Sequence, residues 1–526
     1  MLEHWRKALK LEDKQYEAIQ KILEEQEEDS AKDRAAMLLA HLLDSSGGKL
    51  HYGDAEAQAL PELLSGTNIG YVGPNTSLFS ASLMDNVLYG LRQLPVGTRE
   101  YENDSARRKA ERERAEAAKT ANSSDDVFAD WIDMKRAGVE NREGLIDAVR
   151  HALSVADMED DVYQLGLRGR LDPEKRPEAA ARLLEARGRL EARLAEESYR
   201  GLVEPFDRNA YNSNATVGEN LLFGTPVGEA FDLDRLPENA YVMKVLAKVN
   251  LIDDFLSIGH EVAQTMVELF ADLPPDHEYF GQFSFISLDD LPEFQSLLRK
   301  VARDGLESLE DAERLMFMAL PFKLAPARHR LGLIDNSMQE RLLEARRAFA
   351  EDLPEALARS VEFFDRDRYN AASSLQDNIL FGKLAYGRAQ AQVKIGNLIS
   401  EVIESLDLRS VVVEVGLDFE VGIGGARLST AQRQKTAIAR AVLKRPQLMV
   451  LSEATAALDG SAQTTILNNI REEFRDRTVI WAMHRPSQAR DFDQVLAMAD
   501  GKVVEKGTFD ELMEKKATLA DLVAAE

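Results

Sequence analysis

Apolar residues recur at three- and four-residue steps from the start of the chain: Trp5, Ala8, Leu9, Leu11, Tyr16, Ile19, Ile22 and Leu23. No glycine or proline interrupts them before "DSSGGK", so the period predicts helix over 1–43. Two short runs, "KLHYG" and "NIGYVG", then read as strands. The charged stretches "SARRKAERERAEAAKTA" and "AAARLLEARGRLEARLAEE" predict solvated helices rather than sites. The pattern changes toward the C-terminus. "QLMVLSEA" and "RTVIWAMH" are apolar runs that end on polar residues, as strands do. "QVLAMADGKVVEKG" places an Asp-Gly turn between two strand-like runs and predicts a hairpin. Strands alternating with helices predict an α/β layer with mainly parallel strands.

One pattern occurs three times: "SLMDNVLYG" at 82–90, "TVGENLLFG" at 216–224 and "SLQDNILFG" at 374–382. Ser82, Thr216 and Ser374 can each cap a short helix, with Asp85, Glu219 and Asp377 reaching back. The closing glycine is expected to end that helix. Flanking segments repeat as well. "RLLEARGRLEARL" matches "RLLEARRAFAEDL", and "RGLVEPFDRNAYNSNA" matches "ARSVEFFDRDRYNAAS". The copies start 134 and 158 residues apart, too far and too unequally for a simple solenoid, so nested insertion is the expected arrangement.

Charge and composition narrow the function. The formal net charge is −26, which disfavours nucleic acid and anionic membrane surfaces. The absence of cysteine excludes disulfides and thiolate metal sites. No apolar run reaches the ~18–20 residues needed to span a bilayer, and the N-terminus has no signal-peptide core. The expectation is a soluble cytoplasmic chain, meeting a membrane only through a partner.

Four motifs carry candidate chemistry. "ARLSTAQRQ" puts Ser429 and Gln432 at capping-box spacing where a helix begins, a natural anion site. "LMVLSEATAALD" ends a strand on Ser452 and Glu453 and continues to Asp459. "AMHRPS" places His484 at the end of another strand. "YVGPN" places Asn75 after an early strand. Each also has a plainer reading: a capped structural helix for Ser429, a polar strand end for Glu453, a helix cap for Asp459 and a structural histidine for His484.

In their order along the chain, the motifs resemble those of the nucleotide-binding domain of ATP-binding cassette (ABC) transporters, over about 47–100 and 365–515. The intervening helices look like the insertions of a long bacterial subfamily. The resemblance implies a core like that of the P-loop NTPases with large helical insertions. It divides the chain into 1–46, a helical segment in place of the phosphate loop; 47–100, early strands and the Q-loop region; 101–364, the insertions; and 365–526, the signature, Walker B and switch-histidine part. It implies ATP and Mg²⁺ as cofactors, and a transmembrane subunit or a second cassette, such as a dimer mate, as partner. Glu453 would be the general base and His484 the γ-phosphate contact. Ser429 and Gln432 would face nucleotide held by a partner, and Asp459 would lie in the D-loop. Asn75 would stand where the Q-loop glutamine is expected, and Ser452 where an aspartate helps hold Mg²⁺.

The motifs depart from that family at the phosphate-binding parts. Thr430-Ala431 replaces the usual glycine pair of the signature. The phosphate loop should lie at "QEEDSAKD", residues 26–33, where only Lys32 fits G-x-x-x-x-G-K-S/T and Asp33 replaces the Mg²⁺-binding hydroxyl. That loop needs glycine conformations to turn successive N–H groups toward phosphate. Four carboxylates around it would each cost roughly 3 kcal/mol at ~6 Å and an effective dielectric of about 20. The expected result is a cassette with little or no intrinsic turnover, or a non-catalytic scaffold that keeps the fold, with Lys32 a solvated helix lysine.

Overall fold

The computed structural model describes residues 31–45, 47–92, 94–97, 101–123, 125–126, 129–270, 285–287, 289–499 and 501–526. The principal helices are α1 (Ala31–Leu39), α2 (Leu83–Leu88), α3 (Pro177–Leu194), α4 (Val217–Leu222), α5 (Ile252–Phe270), α6 (Asp311–Phe322), α7 (Asn336–Glu351), α8 (Leu375–Leu380), α9 (Thr430–Leu443) and α10 (Gly460–Glu473). Besides a short antiparallel pair, His51–Tyr52 with Ala55–Glu56, the first of which lies in the predicted strand "KLHYG", the strands are β1 (Ile69–Val72), β2 (Val203–Pro205), β3 (Gly224–Pro226), β4 (Val361–Phe363), β5 (Gly382–Leu384), β6 (Leu448–Ser452), β7 (Thr478–Ala482), β8 (Val495–Ala499) and β9 (Lys502–Gly507). The chain forms two compact units. One comprises the residues up to Val162 together with Leu417–Glu526, and the other comprises Tyr163–Gly416.

The first unit contains the predicted parallel layer. β6 is central, pairing Leu448 with Ile69 of β1 and with Thr478 of β7, both in parallel. Met449, Val450 and Leu451 are fully buried, as an apolar run covered on both faces must be. α1 lies on the sheet through Ala36 and Ala40, packed with Ile69 and Val450, and these small side chains permit the close approach. The predicted helix over 1–43 is observed from Ala31 to Leu39; its earlier part lies outside the described residues. The strands end at Val72, Ser452 and Ala482 on a common carboxyl edge, where open α/β sheets bind ligands. The hairpin β8–β9 is antiparallel and turns at Gly501 with φ 73°; Asp500 of the predicted turn lies outside the described residues. Among the described residues no helix is long and apolar enough to cross a membrane.

The second unit is organised by the repeats. Thr216 and Ser374 cap α4 and α8 by accepting from the backbone N–H of Glu219 and Asp377, as Ser82 caps α2 in the first unit from that of Asp85. The closing glycine has a different task from the one expected. The left-handed residues are Phe223 and Phe381, both at φ 44°, and Gly224 and Gly382 begin strands instead. A Cβ on either glycine would lie 2.6 Å from a carbonyl oxygen of the opposing strand, Glu362 or Glu204. These glycines therefore permit strand pairing rather than a helix stop.

"AAARLLEARGRLEARLAEE" forms the predicted helix α3, but it is not simply solvated. Leu183, Ala186, Arg187 and Leu190 are buried, and Arg187 grips a repeat helix from the other copy. Its Nε donates to the Asn378 carbonyl at 2.7 Å, its Nη1 to the carbonyls of Asp365, Arg366 and Arg368, and its Nη2 to Asn378 Oδ1. Arg346 of α7 does the same to Asn220 and to the carbonyls of Asp207, Arg208 and Ala210. The strands exchange in the same sense: β2 pairs with β5, and β3 with β4. Phe206 and Phe364 stack at 4.2 Å where the copies cross, edged by Phe223 and Phe381. The unit is thus an internal duplication about a pseudo-twofold axis, each half lending its arginine helix to the other. In the first unit Arg440 of α9 repeats this grip on Asn86, with Nε 2.8 Å from its carbonyl and Nη2 3.2 Å from its Oδ1.

Acid exposes one weak point of the second unit. His329 accepts from the Ala325 N–H through Nδ1 and packs edge-on against Phe285. Burial, and then the neighbouring Arg328, push its pKa down to about 4. The folded chain therefore favours neutral imidazole. That stability is fully present above the unfolded pKa near 6.5 and is lost as pH falls toward about 4. Urea unfolding is expected to show a loss of up to about 2 kcal/mol over that range, after discounting for partial exposure. His329→Asn should flatten that part of the pH profile.

Candidate functional site

The site is built at the carboxyl end of β6. After Ser452 the chain turns through Glu453, whose φ of 48° is left-handed and costs a non-glycine residue about 1 kcal/mol. The turn is held by the Glu453 N–H donating to the Ala482 carbonyl at 3.0 Å. It aims the Glu453 carboxylate at α1, where Lys32 Nζ stands 2.5 Å away. Lys32 also donates to the Met483 carbonyl at 3.2 Å, next to His484. Beside this pair, the Ser452 hydroxyl donates to the Asp33 carboxylate; Ser452 is fully buried and Asp33 nearly so. Lys32 is therefore not a solvated helix lysine. α1 lies against the strand ends, and the half-buried ammonium finds a carboxylate and a carbonyl there.

The signature-like helix presents a different surface. Ser429 caps α9 in a complete capping box: its Oγ accepts from the Gln432 N–H at 3.1 Å, and Gln432 Oε1 accepts from the Ser429 N–H at 3.0 Å. Gln432 Nε2 reaches Asp161 at 3.1 Å. Ser429 and Thr430 are exposed, and Ile423 in the preceding loop is 85% exposed. Lys435 on the next turn pairs with Asp161 and Asp157. Burial works against its charge, but these carboxylates outweigh it and hold its pKa above the ordinary lysine value.

The remaining candidates are spread along the same edge. Asp459 caps α10, accepting from the N–H groups of Ser461 and Ala462 at 2.9 Å. The Ala462 bond is the main cause of its carboxyl pKa lying below the ordinary value. Asn75 is exposed in the loop after β1, and His484 is exposed two residues beyond β7. The structure thus gathers Lys32, Ser452 and Glu453 and gives Ser429, Gln432 and Asp459 visible capping roles. Sequence reasoning missed Gln434. It is buried inside α9, and its Oε1 accepts from the Ala457 N–H at 3.0 Å, tying the signature helix to the loop that follows Glu453. Its polarity on an otherwise apolar helix face was the available signal.

At the end of β6 the groups that would meet magnesium and phosphate are paired with one another. The hydroxyl and carboxylate are committed to each other, and the ammonium is committed to Glu453. Residues 31–33 are helical, and residues 26–30 of the expected phosphate-loop segment lie outside the described residues. Among the described residues no group of three or more His, Cys, Asp or Glu is placed to hold a metal ion.

No protein-family profile matches the chain. It is similar to the heterocyst differentiation ATP-binding protein HepA of Nostoc sp., 33% identical over 164 residues, which are 31% of this chain and 26% of that protein. It is 35% identical over 155 residues to the ATP-dependent lipid A-core flippase of Xylella fastidiosa, covering 29% and 25%. It is also 33% identical over 144 residues to the mitochondrial iron-sulfur clusters transporter ABCB7 of Oryzias latipes, covering 27% and 19%. The chain spans about a quarter or less of the length of these relatives. A bacterial Atm1-family ABC exporter structure with ATP bound covers 73% of the chain and 86% of its own at 16% identity, but its TM-score of 0.22 carries no argument about fold. The mixed α/β unit with its parallel sheet fits a nucleotide-binding domain, and over about three tenths of its length this chain is a sequence relative of the ATP-binding cassette proteins of ABC transporters.

Proposed function

We propose that the chain is an ABC-transporter-type cassette subunit with little turnover of its own, which completes a composite nucleotide site on a partner cassette and acts on transport through a membrane partner. The observation that carries this reading is the contrast between two faces of one unit. The N-terminus of α9 is capped, exposed and preceded by an exposed loop, whereas the end of β6 is filled by the chain's own side chains. A helix start of that kind offers N–H groups and a hydroxyl to an anion held elsewhere. Thr430 and Ala431 in place of glycines keep the backbone further from phosphate, which favours a weak, assisting contact.

The test is a mixing experiment with a competent cassette whose own signature serine has been replaced. ATP hydrolysis is expected to return when this chain is added and to fall about a hundredfold when the added chain carries Ser429→Arg. The chain alone is expected to show no turnover. Turnover by the chain alone that disappears in Glu453→Gln would instead make it an ATPase in its own right. The scaffold reading is favoured by the arginine grips, which stabilise repeat helices without touching the strand edge. No stimulation of any competent cassette would leave that reading standing.

A further inference from the structure

We propose that the first turn of α1 is a built-in occupant of the pocket at the end of β6, taking the places that a cation and an anion would otherwise take there. Two consecutive residues of the helix meet two consecutive residues of the strand end. The Lys32 ammonium sits on the Glu453 carboxylate, and the Asp33 carboxylate accepts from the Ser452 hydroxyl. Positive meets negative, and acceptor meets donor. Lys32 also satisfies the Met483 carbonyl of the neighbouring strand end, so the insert reaches across two of the three strands.

The fit is specific in three respects. Asp33 lies in the first turn of α1, where the helix dipole favours a carboxylate. The hydroxyl–carboxylate bond is buried, so leaving either group unmatched is costly. Ala36, with Ala40 just past the helix end, packs against Ile69 and Val450, so the two side chains come from a helix that is itself docked on the sheet. The chemistry also runs both ways. A divalent cation at Glu453 must displace an ammonium 2.5 Å away, and an anion at Ser452 must displace a carboxylate. The inference does not rest on the composite-site reading, since it concerns only this chain's own pocket.

The experiment uses the full chain in two arms. In the first, thermal unfolding is followed with millimolar Mg-ATP, and Mn²⁺ binding by electron paramagnetic resonance. The expected results are a melting shift under about 1 °C and an unchanged aqueous Mn²⁺ signal, because a ligand at a hundred times its Kd would raise the midpoint by about 5 °C or more. Mg-ATP stabilisation, or Mn²⁺ binding abolished by Asp33→Asn, overturns the proposal. In the second arm, the roles of the buried pair are reversed. Ser452→Asp alone sets two carboxylates face to face and is expected to lower the midpoint by about 10 °C. Adding Asp33→Ser should restore most of that loss. A double variant no more stable than the worse single variant overturns the proposal. If Ser452→Asp does not fold, the first arm still decides. Failure here leaves the mixing experiment above unaffected, because that experiment reads Ser429.

Discussion

Replacing Arg346 with alanine is expected to remove about 4 kcal/mol of stability from the second unit. The side chain is 4% exposed and serves five acceptors: the carbonyls of Asp207, Arg208, Ala210 and Asn220, and Asn220 Oδ1, all at 2.7–3.0 Å. It also lies over the Phe223 ring, 4.6 Å from its centroid. Alanine leaves those acceptors buried without their donor and opens a cavity at the crossing of the two copies. Burial pushes the guanidinium down to about 10, which still leaves it charged at neutral pH. Arg346→Lys keeps the charge but not the planar fork, so it should recover only part of the loss. All three tryptophans lie outside Tyr163–Gly416. The effect should therefore be read by far-UV circular dichroism in urea and by hydrogen exchange at 217–222. Unchanged exchange at α4 would show that Arg346 does not hold that helix.

The second large effect runs against helix propensity. Gly259 lies inside α5, where alanine would ordinarily stabilise by about 1 kcal/mol. A Cβ at Gly259 would stand 2.0 Å from the Phe317 carbonyl oxygen of α6, an atom of backbone that cannot swing aside. Gly259→Ala should therefore destabilise by about 3 kcal/mol, through separation of the two helices. Gly188 in α3 supplies the control, because nothing lies within 4 Å of the Cβ it would gain. Gly188→Ala should stabilise by about 0.5–1 kcal/mol. Equal and favourable shifts for both variants in urea melts would refute the close approach of α5 and α6.

Much of the strand edge was legible because it depends on local signals. An apolar run ending on Ser452 and Glu453, a capping box at Ser429 and an Asp-Gly turn each act over a few residues. The linear pattern therefore specifies them wherever they are placed. The order of the motifs carried the family resemblance for the same reason. The repeat was also visible, because a capping hydroxyl, an asparagine and an aromatic must keep fixed spacing within one short helix.

The sequence could not show which elements meet. "AIARAVL" in α9 is the third arginine helix, akin to those of α3 and α7, yet its match is only Ala-Arg in an apolar frame. Its kinship appears when Arg440 is seen gripping Asn86 as Arg187 grips Asn378. Likewise, a helical Lys32 with acidic neighbours reads as solvated until tertiary packing sets it on Glu453, 421 positions away, for the electrostatic partner of a charge is chosen by space and not by sequence. By itself the chain determined its local elements, their caps and the residue types at the strand ends. Only the tertiary structure decided that the copies exchange helices and that α1 meets the end of β6, because both depend on long-range packing that leaves no period in the sequence.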